Sequence, residues 1–250
     1  MLPVTVLMLV MSMITISVKA VHNECNLGAI GRDIENFKVL GHSYHLLYCK
    51  VLMPFVKEIQ NRPIRLLEIG FGCGHHNHGN SALLWNKFFT SNGAKLDQYG
   101  IDLHNVNHIK CAKQFLTLYP PGSIVKDIFL GDQSDRVFME GVIAQTGGKF
   151  DIIVDDGGHM GDQIRNSFEV LWPELENGGI YVIESLGMIP SKEMNDSFVR
   201  DILGWQDQLI GVNYNFPDST DVGWTKFPSK KPNDLVEIHC RNQICALFKE

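Results

Sequence analysis

Apolar positions along the chain change period repeatedly, and each change marks an element. Ile64–Ile69 is a short apolar run that enters Gly70-Phe71-Gly72-Cys73-Gly74, after which Leu83, Leu84 and Phe88 recur at helical spacing between Ser81 and Phe89. This predicts strand, tight turn and helix. The pattern repeats with a strand ending at Tyr99-Gly100-Ile101-Asp102 and a helix around Lys110–Tyr119, then a strand near Ser123–Leu130 closing at Gly131-Asp132 and a helix over Asp135–Ala144. Phe150–Val154 is nearly all apolar, as a strand covered by helices on both faces must be. It ends in Asp155-Asp156-Gly157-Gly158-His159. A helix over Gln163–Leu171, a turn at Asn177-Gly178-Gly179 and a strand Ile180–Ile183 ending at Glu184-Ser185 follow. Val236–Cys240 and Ile244–Phe248 flank Arg241-Asn242 as a closing hairpin. Strands alternating with helices predict an α/β domain with a mostly parallel sheet.

Around this domain, taken as residues 61–250, the pattern weakens. Residues 21–60 read as a helical lead-in whose main helix spans Tyr44–Ile59, with Pro54 ending or kinking it. Residues 187–234, rich in Pro, Asp, Asn and aromatic groups, read as a lid over a substrate. Met1–Ala20 is apolar and closes with Val18-Lys19-Ala20, small residues where a signal peptidase prefers them; it reads as a secretory signal or an uncleaved signal anchor. The chain is therefore expected to be lumenal or secreted, touching a membrane only through that segment. Six cysteines in an oxidising compartment fit one or more disulfides, with six buried thiols as the alternative. The sequon Asn195-Asp196-Ser197 is compatible with lumenal exposure. A net charge of -6 over 250 residues argues against a nucleic-acid partner, which calls for a basic face.

Chemistry gathers where parallel strands end. Glu68 puts an acid on the first strand, and Gly70, Gly72 and Gly74 let the next backbone turn approach a ligand with no Cβ in the way. Three readings fit such a turn: a methyltransferase loop, a dinucleotide loop, or a glycine turn with no ligand. A dinucleotide loop places its third glycine three positions after the second, whereas Gly74 follows Gly72 by two and a polar His75-His76-Asn77-His78 stretch intervenes. The spacing favours an adenosyl amino acid. Asp102, ending the second strand, can accept both ribose hydroxyls, and Asp132, ending the third, lies where the adenine amino group would be. His75, His76 and His78 lack a clear fourth ligand and read as a solvated loop rather than a zinc site. Trp85, Trp172, Trp205 and Trp224 read as core or lid packing.

His42-Ser43-Tyr44, Leu67-Glu68-Ile69-Gly70, Gly131-Asp132-Gln133-Ser134-Asp135, the run Phe150–His159, Gly178–Glu184 and the hairpin with Cys240 and Cys245 together resemble the macrocin and mycinamicin sugar O-methyltransferases and their eukaryotic methyltransferase-like relatives. The resemblance runs from about His42 to the C-terminus. It implies a Rossmann-like class I fold with a seven-stranded, mostly parallel sheet and a C-terminal antiparallel hairpin. It also implies S-adenosylmethionine as cofactor, with Glu68, Gly70, Gly72, Gly74, Asp102, Asp132 and Asp155 around it, and a small sugar-like or polyol substrate.

Methylating a hydroxyl needs a base, and a cation helps to orient the alcohol. Asp156 and Glu184 end neighbouring strands where two carboxylates could share Mg²⁺. His159 suits a base near neutral pH. The resemblance assigns the same roles, magnesium ligands at Asp156 and Glu184 and the base at His159. Where the relatives carry a further acid after the glutamate, this chain carries Ser185. Two other classes stay open: an NAD-type oxidoreductase on a similar fold, and a secreted protein that kept the fold without the chemistry.

Overall fold

The computed structural model describes residues 25–73, 79–119, 122–188, 198–211 and 230–250. The segment read as a signal, the sequon, Gly74, the histidine-rich stretch, Trp224 and most of the expected lid lie outside the described residues. Three helices open the chain: α1 (Leu27–Asp33), α2 (Phe37–Leu40) and α3 (His45–Glu58). There follow β1 (Ile64–Ile69), α4 (Asn80–Ser91), β2 (Leu96–Asp102), α5 (Val106–Leu118), β3 (Asp127–Leu130), α6 (Arg136–Thr146), β4 (Phe150–Asp155), α7 (Gly161–Leu171), β5 (Leu175–Ile183), α8 (Phe198–Leu209), β6 (Leu235–Arg241) and β7 (Ile244–Lys249).

The seven strands form one sheet in the order β3-β2-β1-β4-β5-β7-β6. The first five run parallel, and β7 pairs antiparallel with both β5 and β6. The sheet expected from the alternation of periods is thus present. Every residue of β4 is buried because helices lie on both of its faces.

Side-chain alternation divides the interior. Ile64 and Leu66, Ile152 and Val154, and Ile180 and Val182 pack with α1, α3 and α4 in one core. Leu67 and Ile69, Ile153, Tyr181 and Ile183 pack with α6, α7 and α8 in the other. The opening helices are integral to the domain: Leu47, Tyr48, Val51, Leu52, Phe55 and Val56 of α3 are buried against the sheet. Each such buried aliphatic or aromatic side chain stabilises by about 1.5–3 kcal/mol.

Two boundaries differ from expectation. Pro54 lies inside α3, which runs on to Glu58. Proline costs the helix one N–H bond, and buried Met53, Phe55 and Val56 hold the last turn to the core regardless. The expected turn at Asn177-Gly178-Gly179 falls within β5: Phe150 pairs with Leu175 and Ile152 with Ile180, so residues 176–179 bulge out, with Gly178 at φ +77°.

All six cysteines are paired, Cys25 with Cys49, Cys73 with Cys111 and Cys240 with Cys245. The first joins α1's approach to α3. The second ties the glycine-rich turn to α5, and the third crosses the closing hairpin.

Candidate active site

The two-residue period decides which acids meet. Glu68 shares parity with Ile64 and Leu66, Asp156 with Ile152 and Val154, and Glu184 with Ile180 and Val182, so all three point toward the opening helices. Asp155 points the other way.

Between the three carboxylates lies a lysine. Lys38 Nζ is 2.7 Å from Asp156 Oδ2, 2.8 Å from Glu184 Oε2 and 3.5 Å from Glu68 Oε1, with its side chain only 8% exposed. Its backbone is pinned as well, the N–H donating to Asn36 Oδ1 (3.0 Å) and the carbonyl accepting from Tyr44 N (2.8 Å). Burial works against the ammonium, but Asp156, Glu184 and Glu68 carry its pKa well above the ordinary lysine value. The other carboxylate oxygens are also engaged. Ser185 Oγ donates to Asp156 Oδ1 (3.1 Å), the Tyr48 hydroxyl donates to Glu184 Oε1, and Ser81 Oγ donates to Glu68 Oε1. Tyr44 completes the wall, its hydroxyl accepting from Ser185 N at 3.2 Å.

The acids respond to these neighbours differently. Burial acts to raise the Asp156 carboxyl, yet Lys38's charge and hydrogen bond, with smaller help from His159 and Ser185, hold it below the usual carboxylate range. Burial pushes Glu184 up to about 8 against the pull of Lys38, and Asp156 adds to the rise. An ammonium on one oxygen and a phenol on the other nonetheless make it the acceptor of the cluster. His159 sits half-buried between β4 and α7, one residue before Met160, which occupies the N-cap position of α7.

The glycine turn is built around Asp102. Gly70 (φ +87°) is a packing requirement, since a Cβ there would lie 2.0 Å from the Asp156 carbonyl oxygen. Gly72 (φ +84°) is different, because a Cβ there would meet nothing within 4 Å; this is open backbone of the kind a ligand can approach. Asp102 accepts from Cys73 N (2.9 Å), Leu103 N (2.8 Å) and His108 Nδ1 (2.7 Å). A carboxylate offers about four acceptor positions. Asp102 therefore retains room for one ribose hydroxyl, not the expected two. Exposed Asp132 at the end of β3 holds Ser134 N and Oγ through Oδ1 (2.8 and 2.7 Å), which lowers its pKa.

A cavity of about 310 Å³ lies at the edge of the sheet, lined among others by His42, Ser43, Tyr44, Arg241 and Asn242. Tyr44 is common to this cavity and to the wall of the acidic cluster.

No protein-family model matches the chain. Over 132 residues it is 33% identical to mycinamicin VI 2''-O-methyltransferase of Micromonospora griseorubida, a match covering 52% of this chain and 29% of the relative. Over 206 residues it is 31% identical to the 8-demethyl-8-(2-methoxy-alpha-L-rhamnosyl)-tetracenomycin-C 3'-O-methyltransferase of Streptomyces olivaceus, covering 76% of this chain and 46% of that one. The chain thus matches less than half of the length of either relative. Among solved structures it superposes on the MycE methyltransferase of the mycinamycin biosynthetic pathway in complex with Mg, SAH and mycinamycin VI. The TM-score is 0.66 and the identity 23%, with 90% of this chain and 53% of that one covered. The chain has the class I methyltransferase fold and is a relative of the sugar O-methyltransferases.

On this methyltransferase fold the expected residues separate into groups. Glu68, Asp156 and Glu184 converge, with His159 near enough for its charge to be felt at Asp156. Gly70, Gly72 and Asp102 form one turn. Asp155, expected at the cofactor, is 2% exposed on the opposite face, where the Tyr181 hydroxyl (3.1 Å) and Gln133 Nε2 (3.3 Å) donate to it. Its place in the core makes it a structural acid. Lys38, Tyr48 and His108 were not anticipated. Lys38 stands in the short run Phe37-Lys38-Val39-Leu40, which carries no periodic or motif signal, and its partners lie 118 and 146 residues away. Trp85, Trp172 and Trp205 are core residues as expected.

Proposed function

We propose that the chain is an S-adenosylmethionine-dependent O-methyltransferase acting on a hydroxyl of a small sugar-like or polyol substrate. The observation that carries this is the row of strand ends β3-β2-β1, which sets Asp132, Asp102 and the open backbone of Gly72 side by side on a class I fold. Likeness to enzymes named for methylating sugar hydroxyls supports the acceptor class. Gly72 and Asp102 would hold the amino-acid and ribose parts of the cofactor and Asp132 its adenine. When bound, S-adenosylmethionine supplies a methyl group activated by a sulfonium.

The chain's own residues do the rest. His159 takes the proton of the acceptor hydroxyl as its oxygen attacks the methyl carbon in line, and the low-pKa carboxylate of Asp156 stabilises the imidazolium that results. The pairing of all six cysteines supports placing the chain in the secretory pathway.

The test is methyl transfer from labelled S-adenosylmethionine to a panel of sugars and polyols by the full chain, beside His159→Ala and Asp132→Ala. His159→Ala should keep its affinity for S-adenosylhomocysteine and lose turnover by about 10²–10⁴-fold. Asp132→Ala should weaken cofactor binding. Equal loss of binding and turnover in the His159 variant would remove the base from that position. A second reading, a cofactor-binding relative without catalysis, draws on Ser185, which donates to Asp156 where the relatives carry an acid. Binding without turnover across the whole panel would decide for it.

A further inference from the structure

We propose that Lys38 stands in this chain where a divalent cation would stand, an internal counter-ion that makes the acidic cluster independent of magnesium. The proposal rests on the reading of the site as a methyl-transfer centre only for what the charge is used for; the occupancy of the cluster stands on geometry alone.

Three observations carry it. Asp156 and Glu184, the pair expected to share a magnesium ion, both turn an oxygen onto the same ammonium, at 2.7 and 2.8 Å, with Glu68 behind it at 3.5 Å. Their second oxygens are held by Ser185 and Tyr48, so neither carboxylate has an oxygen without a donor. The lysine is also built in rather than swung in, since its N–H and carbonyl are bonded to Asn36 and Tyr44 and its side chain is buried. Mg²⁺ takes near-octahedral oxygen ligands at about 2.0–2.1 Å. It cannot share Asp156 Oδ2 and Glu184 Oε2 with an ammonium already lying between them. Among the described residues no group of three or more His, Cys, Asp and Glu is arranged to hold a metal ion.

The ammonium's hydrogens all face carboxylates, so Lys38 is a positioning residue and does not reach the acceptor. Its work is to let three acids be buried together and to fix Asp156, the most exposed of them with 26% of its side chain accessible, toward His159.

The test is uptake of Mn²⁺ alone by the full chain, read from the free-ion EPR signal, for the wild type, Lys38→Met and Asp156→Asn. The wild type should leave Mn²⁺ free up to about 1 mM, while Lys38→Met, which releases three carboxylates, should bind it about tenfold or more tightly. Stoichiometric uptake by the wild type that Asp156→Asn abolishes would overturn the proposal. So would a folded Lys38→Met chain with no gain. If Lys38→Met does not fold, the wild type and Asp156→Asn decide between them. Titration of the same samples with S-adenosylhomocysteine keeps the two readings apart: absent binding removes the methyltransferase reading and leaves the Mn²⁺ result standing.

Discussion

The disulfide between Cys73 and Cys111 should control both the stability of the domain and the cofactor turn. The two residues are 38 apart in sequence, and the chain-entropy relation for a loop of that size gives about 4 kcal/mol of stabilisation. In a chain of this length that is a melting temperature lower by about 8–16 °C in the Cys73→Ser/Cys111→Ser variant. The bond also acts locally. Cys73 N donates to Asp102 Oδ2, and α5, which carries Cys111, carries His108 onto Asp102 Oδ1. Releasing the turn from α5 loosens both donors, and losing one hydrogen bond to a charged acceptor corresponds to about tenfold in affinity or more. The control is Cys240→Ser/Cys245→Ser, where a separation of only 5 gives about 2 kcal/mol and the bond lies in the closing hairpin. Urea unfolding followed by tryptophan fluorescence, with titration of S-adenosylhomocysteine, reads both quantities. Equal stability losses in the two variants, with unchanged affinity in the first, would refute the reasoning.

Two further outcomes follow from buried groups. Asp155 is pushed up to about 7 by burial, so the folded chain keeps a proton that the unfolded chain releases near the ordinary aspartate value. The folded state binds more protons between those two values, and stability falls as pH rises through that window, by about 4 kcal/mol at about 1.4 kcal/mol per pH unit. Asp155→Asn should remove this decline when unfolding is compared at pH 5 and pH 8; a parallel pH dependence in the variant would place the ionised acid in the core. At the turn, Gly70→Ala should destabilise more than Gly72→Ala. Both positions have φ near +85°, but only Gly70 would drive a Cβ to 2.0 Å from a backbone oxygen. Matched unfolding curves measure the difference, and equal losses would contradict the packing role of Gly70.

Much of the sheet was legible because its strands are buried on both faces: Ile64–Ile69 and Phe150–Asp155 show as unbroken apolar runs closed by an acid. The strand-end acids were legible for the same reason. Their division was not drawn, although parity carries it, since Asp155 and Asp156 must point to opposite faces and only the latter shares the side of Glu68 and Glu184. Lys38, Tyr48 and His108 were hidden for a different reason. Each meets its partner only after the chain has folded back on itself or turned a helix onto a strand end, and no local period marks a lysine that will be surrounded by three acids. The glycine turn was legible as a turn, but not the separate tasks of Gly70 and Gly72, which depend on what each would-be Cβ faces.

The central claim is that this fold binds S-adenosylmethionine at the turn between β1 and α4. Isothermal titration of the full chain with S-adenosylhomocysteine tests it most directly. The account predicts one site with a dissociation constant on the order of 1–100 µM, weakened in Asp132→Ala; the absence of binding by demonstrably folded protein would contradict it.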